Sequence, residues 1–558
     1  MCSICGGNYP LEAIKKASKT MAHRGPNFSG VFSEKGIALA HNRLSIIDLE
    51  KEANQPFISS YCPHFVLVFN GEIYNYLELR EELEGFGVAF QTKSDTEVLL
   101  HAFAFWGEKC LEKFNGDFAF VVYDRRDSSL FFARDRLGNK PLFYGLHGDR
   151  ICFASEIKAL LEILPQEFDL EEVAKWLLFS NGSKDKTIYK GIMPFLAAHY
   201  GVFKDGKLKL VRYWNLEIAP QHYTLDCAVE ELETLLLDAL KLRLRSDVQV
   251  ALSVSGGVDS SILAHLIKRL NGDCKFFGLG FRDFKNIDES AHIREIGRDI
   301  KEEICEVALR LEDCKKDFAK LVCAQDEIFR SFSIYAQFAL FKEIAKECKV
   351  VLSGQGADEL FGGYYHHIGR YIFMHKEAFK DRLRIYGKEA LEEYMFGLKC
   401  SLDKELKLQL FAEDNAQNLR KLEQMGLPKP PLENLLERFL LDFNKGLWLD
   451  VMEFNLPNLL RYEDRDAMTF SLENRTPFTD YRVVEFAFRL PEGLKVACGY
   501  GKYILRVILE RLGSKNLAWR LDKKGFSAPE REIAQTLGYN FQGLFDVRSV
   551  IFQQLRNR

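Results

Sequence analysis

The stretch that decides the fold is Val248-Gln249-Val250-Ala251-Leu252-Ser253-Val254-Ser255-Gly256-Gly257-Val258-Asp259-Ser260-Ser261. An apolar strand runs into a turn of glycine and hydroxyl residues, and an amphipathic helix follows to Leu270. Helix N-termini present free backbone N–H groups, and glycines let a phosphate approach the backbone. The Lys-Ser/Thr ending of a Walker loop is missing. The stretch predicts a phosphate-binding turn of another kind, with a plain strand–helix turn capped by serine as the alternative.

Strands and helices alternate after this stretch. We predict strands at residues 276–281, 304–308 and 350–352, and a helix at residues 290–300. Such alternation is typical of a parallel sheet covered by helices on both faces. Residues 366–520 read as mainly helical. The prediction for residues 225–558 is therefore an α/β domain with a parallel sheet and a helical C-terminal part.

The first 210 residues have a different pattern. Strand-like runs recur at residues 64–69, 118–123, 130–133 and 151–154, separated by turn signals such as Asn70-Gly71. At least one helix, at residues 76–87, is predicted among them. Few crossover helices indicate packed antiparallel sheets, so we predict an α+β domain over residues 2–210. The segment 205–225 is the expected boundary.

The composition excludes several classes of protein. At 558 residues the chain is too long for one hydrophobic core. A net charge of −4 argues against a general nucleic-acid binder. No apolar run reaches the ~18 residues of a membrane helix, and no signal peptide is evident, so a cytoplasmic location without a membrane partner is expected. Thirteen scattered cysteines fit reduced thiols better than a disulfide framework.

Cys2 is a candidate nucleophile. Removal of Met1 would make Cys2 the first residue and place its α-amine beside its thiol. Such an amine titrates near ~8 in model peptides, so it can act as the general base for the thiol, directly or through water. Cys2 could instead be an incidental thiol, or Cys2-Ser3-Ile4-Cys5 could be half a metal site or a redox pair. A lone CxxC is a weak signal for either.

Several motifs accompany Cys2 in a fixed order along the chain. They lie at residues 23–26, 43–48, 70–75, 94–97, 351–364, 461–465, 473–478, 501–506 and 524–526. Those at 43–48, 70–75 and 94–97 are polar residues that we expect to flank strands. With these motifs the chain resembles the class II glutamine amidotransferases and, together with the turn Ser255 to Ser261, the asparagine synthetase family. The turn itself resembles the pyrophosphate loop of ATP pyrophosphatases. The resemblance covers nearly the whole chain, and it implies an Ntn-hydrolase-like first domain and an ATP-pyrophosphatase-like second domain.

The resemblance implies a glutaminase site in the first domain. Cys2 would attack the side-chain amide of glutamine, and Asn70 with the N–H of Gly71 would form the oxyanion hole. The remaining contacts to glutamine would come from Arg43 on its α-carboxylate, from Glu72 and Asp95 on its α-ammonium, and from Leu44, Ile46 and Ile47.

The resemblance also implies a synthetase site that converts aspartate to β-aspartyl-AMP and then, with ammonia, to asparagine, AMP and pyrophosphate. Asp259 and Asp358 would hold Mg²⁺, and Lys502 would stabilise charge on the phosphates and the attacked carboxyl. Residue 355 would serve adenylate formation. A homodimer is a candidate assembly. The implied ATP contacts are Val254, Ser255, Gly256, Gly257, Asp259, Ser260, Ser261, Leu279, Ser353 and Gly354.

The chain departs from the family pattern at residue 355. Gln355 stands where the family usually has Glu, and a glutamine amide cannot act as a general base. Two alternatives follow: an amidotransferase that acts on another carboxylate, such as that of a uronic-acid sugar, and a nucleotide-binding regulator with an impaired synthetase half. Arg465, Arg475 and Lys524 are either functional cations or structural ion-pair partners.

Overall fold

The computed structural model describes residues 2–521 and 528–557, so the motif with Lys524 lies outside the described residues. The first domain holds two antiparallel sheets, in the orders β2-β3-β1-β8-β7-β9 and β11-β10-β6-β5-β4. Its strands are β1 Ser3–Gly7, β2 Phe28–Glu34, β3 Ile37–Arg43, β4 Phe65–Ile73, β5 Gly116–Asp124, β6 Ser129–Arg134, β7 Phe143–His147, β8 Arg150–Ala154, β9 Ile192–Pro194, β10 His199–Lys204 and β11 Lys207–Arg212. Its α-helices are Leu11–Lys19, Tyr76–Gly85, Asp95–Trp106, Cys110–Lys113, Ile157–Leu160 and Leu170–Phe179.

The two sheets pack face to face, and β4 shows why. Val66 and Val68 join the core between the sheets, whereas Leu67 and Phe69 join a second core on the opposite face. Side chains alternate between the faces of a strand, so a continuous apolar run needs cover on both sides. The helices Tyr76–Gly85 and Asp95–Trp106 supply the second cover. The predicted α+β fold with packed antiparallel sheets is confirmed.

The second domain is built on a parallel sheet in the order β14-β13-β12-β15-β16. Its strands are β12 Val250–Val254, β13 Cys274–Gly280, β14 Ile304–Ala308, β15 Val350–Leu352 and β16 Glu473–Arg475, and each neighbouring pair is parallel. Val250, Leu252 and Val254 pack into one core and Ala251 into another, so β12 is covered on both faces as its sequence predicts.

Helices cover this sheet and make up most of the C-terminal part. The predicted α/β fold with a helical C-terminal part is confirmed. The α-helices are Leu225–Arg243, Val258–Arg269, Ser290–Ile300, Leu311–Gln325, Ser333–Ile344, Ala357–Phe361, Tyr365–Met374, Lys376–Tyr386, Lys388–Ser401, Lys404–Asp414, Ala416–Gln424, Phe443–Leu449, Leu456–Met468, Tyr481–Arg489, Glu492–Lys495, Tyr503–Arg511, Lys515–Ala518, Glu530–Thr536 and Leu544–Arg556, with a π-helix at Asp450–Phe454. No described helix is long and apolar enough to cross a membrane.

Two local predictions for the first domain are wrong. Asn70-Gly71 is not a turn but lies inside β4, which continues to Ile73 because it pairs with β5 along its whole length. The segment Ser94 to Glu97 does not flank a strand but opens the helix Asp95–Trp106. There Ser94 is the N-cap, and its side chain accepts a hydrogen bond from the Thr96 N–H. As a result, the candidate site residues Asn70 and Asp95 lie on a strand and a helix rather than on loops.

Candidate active sites

Cys2 lies just before β1 and is almost completely buried. Its backbone nitrogen donates to Asn70 Oδ1 at 3.0 Å, which fixes Cys2 against β4. Burial raises the pKa of the Cys2 thiol, although the Leu44 N–H donates to the sulfur and lowers that pKa. The resting group is therefore a thiol, and a nucleophilic role requires a base.

Asn70 and Glu72 each leave one buried polar atom without a partner. Asn70 Nδ2 and Glu72 Oε2 make no hydrogen bond to the described residues. The two side chains are two positions apart on β4, so they lie on the same face of the sheet as the Cys2 contact. An unpaired buried donor and an unpaired buried acceptor are costly, and their placement beside a thiol indicates a ligand with both kinds of partner.

Gly71 between them has a backbone that no other residue adopts without strain. Its φ is +150°, and a Cβ at this position would lie 2.1 Å from the Asp117 carbonyl oxygen on β5. The close pairing with β5 keeps Asn70 and Glu72 in place on either side of Gly71.

Glu72 and Asp95 form an acidic pair. Burial, Glu473 and Asp95 raise the pKa of Glu72 well above its usual value. Burial raises the pKa of Asp95 to about 6, although the Ile73 N–H donates to its Oδ2 at 3.0 Å. Two buried carboxyl groups that are reluctant to ionise together are suited to receive a cation.

Arg43 ends β3 and is tied to the loop that follows. Its NH1 donates to the Glu50 carbonyl at 2.7 Å and to Asn54 Oδ1 at 2.9 Å, and its NH2 donates to the Asp48 carbonyl. A guanidinium has five N–H donors, so these three bonds leave two for a carboxylate. The predicted contact residues Leu44, Ile46 and Ile47 follow Arg43 and are buried.

The phosphate turn follows β12 as predicted. Ser260 Oγ accepts from the Ser255 N–H at 3.1 Å, and Ser255 Oγ accepts from the Gly257 N–H at 3.3 Å. Gly256 has a φ of +68°, and a Cβ there would lie 2.7 Å from the His292 Cβ. The helix Val258–Arg269 begins immediately afterwards, so its N-terminus faces the turn.

The second glycine turn follows β15, the neighbour of β12. A Cβ on Gly354 would lie 3.0 Å from the Asp259 Cβ, so the two turns are in contact. A cavity of about 480 Å³ opens between them, within the range of ligand pockets. The predicted residues that line it are Ser255, Asp259, Ser260, Ser353, Gly354, Gln355 and Asp358. In the described chain, Val254, Gly256, Gly257, Ser261, Leu279 and Lys502 are not among the lining residues.

Lys502 joins the two turns from behind the cavity. Its Nζ lies 2.8 Å from Asp259 Oδ2 and 2.7 Å from Asp358 Oδ1. Burial alone would lower the pKa of Lys502, but the two carboxylates raise it, so the ammonium stays charged. The two carboxylates also suit a hard divalent cation beside phosphate oxygens, so this donor set fits Mg²⁺.

A second metal-capable group lies at the rim of the cavity. His366, His367 and Asp450 place their ligand atoms within 4.8 Å of one another. Both His Nε2 atoms lie within 2.7 Å of Asp450 Oδ2. Burial, with smaller contributions from the neighbouring His366 and Arg370, lowers the pKa of His367 to about 4. The hydrogen bonds of both histidines to Asp450 account for the cluster without a metal ion.

Arg24 ties the two domains together. Its Nε donates to the Cys2 carbonyl at 3.0 Å, and its NH1 lies 2.9 Å from Glu156 and 2.8 Å from Asp464. Arg465 extends this network, with its NH1 2.8 Å from Glu156. All these side chains are buried. Arg465 is therefore a structural ion-pair partner at the domain junction.

Strand β16 separates the two sites. Arg475 pairs with Glu473 through Nε–Oε1 at 2.5 Å, and its NH2 lies 3.7 Å from Glu72 Oε1 in the first domain. Asn474 points to the opposite face, as alternation requires, and donates to Glu463 Oε2 at 2.5 Å. Glu463 lines the cavity. One short strand thus faces the Cys2 site with two side chains and contacts the cavity-lining residue Glu463 with the third.

Sequence reasoning missed Glu463, Asn474 and Glu473 as site residues. All three lie in motifs that were recognised at residues 461–465 and 473–478. The sequence does show carboxylates where the chain passes from the helix Leu456–Met468 to β16. Which of them faces which site depends on the pairing of β16 with β15, which no local pattern reveals.

The structure separates Cys2 from Cys5. Cys5 lies inside β1 and packs in an apolar core with Ile14 and Ala17. Both thiols are free. A redox or metal role for the Cys2–Cys5 pair therefore receives no support from their surroundings.

Comparisons with known proteins agree with this two-site arrangement. The family model for the glutamine amidotransferase domain matches residues 1–214, and the model for asparagine synthase matches residues 231–546. Asparagine synthetase [glutamine-hydrolyzing] 1 of Bacillus subtilis (strain 168) is 31% identical, with 95% of this chain and 87% of that protein covered. Asparagine synthetase [glutamine-hydrolyzing] 3 of the same organism is 30% identical, with 91% and 83% covered.

A solved structure of the glutamine phosphoribosylpyrophosphate amidotransferase from B. subtilis matches 56% of this chain and 91% of its own, with 15% identity and a TM-score of 0.32, too low to support an argument. The two family models, the relatives and the two linked sites lead to one conclusion. The chain belongs to the asparagine synthase family and carries the glutamine amidotransferase domain of its glutamine-hydrolysing members.

Proposed function

We propose that this protein is a glutamine-dependent asparagine synthetase. It hydrolyses glutamine to glutamate and ammonia in the first domain. In the second domain it activates the β-carboxylate of aspartate with ATP and amidates the product to asparagine. The observation that carries the proposal is the pair of unpartnered buried atoms, Asn70 Nδ2 and Glu72 Oε2, beside Cys2 in a chain that also has the double phosphate turn.

The glutaminase step follows from the placement of these groups. The Cys2 sulfur attacks the side-chain amide carbon, and its proton passes to the α-amine that removal of Met1 exposes. Asn70 Nδ2 and the Gly71 N–H receive the oxyanion. Glu72 and Asp95 bind the α-ammonium of glutamine, and the two remaining donors of Arg43 bind its α-carboxylate. The protonated α-amine gives its proton to the leaving nitrogen, ammonia departs, and water then cleaves the thioester at Cys2.

The synthetase step uses the cavity between the two glycine turns. Ser255, Ser260 and the N-terminus of the helix Val258–Arg269 bind the phosphates of ATP, and Ser353 and Gly354 contact the nucleotide. Val254, Gly256, Gly257, Ser261 and Leu279 shape the turn and its support. Lys502 stabilises the charge that develops as the carboxylate attacks the α-phosphate.

Asp259 and Asp358 would hold Mg²⁺, which would neutralise phosphate charge and orient the leaving pyrophosphate. When nucleotide binds, Lys502 is free to turn from these carboxylates toward the phosphates. We also propose that the protein is a homodimer and that it is located in the cytoplasm. Sedimentation velocity tests the dimer, and cell fractionation tests the location.

Incubation of the purified protein with glutamine, ATP, Mg²⁺ and aspartate tests the function. Asparagine, AMP and pyrophosphate should appear in equal amounts. Pyrophosphate release that needs a uronic acid and not aspartate would favour the other acceptor, for which Gln355 is the supporting observation. Nucleotide binding without turnover of either acid would instead indicate a regulator.

A further inference from the structure

Amidation requires a proton acceptor that Gln355 cannot supply. When ammonia adds to an acyl carbon, the nitrogen carries a surplus proton that must leave before a stable amide forms. The amide side chain of Gln355 lines the cavity but has no basic site. If this chain forms an amide, another group in the cavity takes that proton.

Four carboxylates line the cavity among the described residues: Asp259, Glu289, Asp358 and Glu463. Asp259 and Asp358 share the ammonium of Lys502. Glu289 pairs with Arg520 at 2.7 Å. A carboxylate held by a cation is a poor base, because the positive charge stabilises its ionised form.

Glu463 has only neutral donors as partners in the described part of the chain. Gln337 Nε2 donates to Oε1 at 2.6 Å, and Ser353 Oγ donates to Oε2 at 3.0 Å, as does Asn474 Nδ2 at 2.5 Å. Burial raises the pKa of Glu463 to about 7, although these hydrogen bonds lower it. A group with a pKa near the working pH is well suited to accept a proton and release it again.

Glu463 also lies next to residues that link the two sites. Its neighbour Asp464 pairs with Arg24, which holds the Cys2 carbonyl, and its partner Asn474 lies on β16 between the two sites. A cavity of about 10 Å³, room for roughly one ammonia molecule, lies between the domains and is lined in part by Asp464 and Asn474. The Glu463 oxygen that accepts from Asn474, Oε2, also accepts from Ser353 Oγ, and Ser353 opens the turn that contains Gln355.

We propose that Glu463, rather than residue 355, is the general base of amidation, an inference that rests on the proposed function. The ammonia lone pair forms the C–N bond to the acyl-adenylate, and one N–H proton moves to the Glu463 carboxylate. The carbonyl then re-forms, the bond from carbon to the phosphate oxygen breaks, and AMP leaves with that electron pair. Glu463 returns the proton to solvent.

The test compares Glu463→Gln with Asp466→Asn. Glu463→Gln keeps the shape of the side chain and removes its basicity. Asp466 is the matched control: it is buried one turn further along the same helix, accepts from Gln325 Nε2 at 2.7 Å and does not line the cavity. Each variant is assayed with ATP, aspartate and ammonium for pyrophosphate release and for asparagine, and with glutamine alone for glutamate release.

In Glu463→Gln, asparagine formation should fall about 10²–10⁴-fold. Pyrophosphate released in the first turnover and steady-state glutamate release should stay within a few-fold of wild type, because activation and glutamine hydrolysis do not use this base. Asp466→Asn should keep its asparagine rate. The double variant Gln355→Glu/Glu463→Gln should form asparagine at least tenfold faster than Glu463→Gln alone, since it returns a carboxylate to the same cavity.

Wild-type asparagine formation by Glu463→Gln would overturn the inference and leave the proposed function intact. A loss of first-turnover pyrophosphate in parallel with asparagine would also overturn it, because Glu463 would then serve activation or folding. A wild-type protein that makes no asparagine would instead reject the proposed function. The same pair of variants is then measured with the acid that supports pyrophosphate release.

Discussion

Arg24 and Asp464, which are 440 positions apart in the chain, form a two-point ion pair, with NH1–Oδ2 at 2.8 Å and NH2–Oδ1 at 3.0 Å. Both side chains are buried at the junction of the two domains. Arg24 Nε also donates to the Cys2 carbonyl. Asp464 of the synthetase domain is therefore linked to the proposed nucleophile through a single residue, Arg24. The junction is therefore part of the glutaminase site.

Asp464→Asn should weaken the coupling between the two reactions. Arg24 keeps Glu156 but loses a charged hydrogen-bond partner, so the free energy of unfolding should fall by about 1.5–3 kcal/mol. The ratio of asparagine formed to glutamine hydrolysed should fall several-fold, because Cys2 is held less firmly against the second domain. Urea unfolding and product ratios measure the two effects.

The matched control is Glu78→Gln, which removes the exposed interdomain pair between Glu78 and Arg245. It should cost less than about 1 kcal/mol and leave the product ratio unchanged. Equal effects of the two substitutions would show that the buried pair has no special role.

Cys2→Ala should abolish asparagine formation from glutamine and keep formation from ammonium. The sulfur makes the covalent intermediate, whereas the cavity of the second domain lies beyond β16. Asparagine assays with either nitrogen source measure this. The active wild-type protein should also lack Met1 by intact mass; retention of Met1 in active enzyme would rule out the α-amine as base.

Glutamate release in the absence of ATP should decline as the pH falls through about 6. Burial raises the pKa of Asp95 to about 6, so below that pH the carboxyl is protonated and no longer attracts the ammonium of glutamine. The decline should appear in kcat/KM for glutamine, which reports free enzyme.

Asp95→Asn should lower kcat/KM about 10–100-fold above pH 7 and move the remaining acid limb, since Glu72 would then ionise without its like-charged neighbour. An unchanged acid limb in this variant would assign the titration to another group.

Lys502→Met should reduce pyrophosphate release about 10²–10³-fold, because one preorganised cation at the phosphates is lost. The substitution also leaves Asp259 and Asp358 without their shared ammonium. Mg²⁺ should therefore raise the Tm of the variant more than that of wild type, by preferential binding to the folded state. Thermal unfolding with and without Mg²⁺ measures this; equal shifts would place the metal elsewhere.

Local patterns predict much of the fold. The apolar run of β12, the glycine turn after it and the helix that follows are each visible in the sequence, because a strand buried on both faces and a helix start have strong signatures. The alternation of strands and helices then predicts the parallel sheet.

Long-range pairing accounts for the failures. Asn70-Gly71 carries a strong turn signal, yet β5 pairs with β4 beyond it and keeps the chain extended. The ion pair of Arg465 depends on Glu156, which is distant in sequence, and Arg475 reaches Glu72 of the first domain in the same way. The side of the sheet that Glu463 faces could not be predicted for the same reason.

Successive side chains of strand β16 alternate between the two sites. Its outer two residues, Glu473 and Arg475, belong to the glutamine side, and the middle residue, Asn474, belongs to the acceptor side. Mutation at position 474 can therefore change the environment of the acceptor while the ammonia-producing half keeps its contacts. During evolution, single substitutions at position 474 can therefore change the acceptor acid while the ammonia-producing site stays the same.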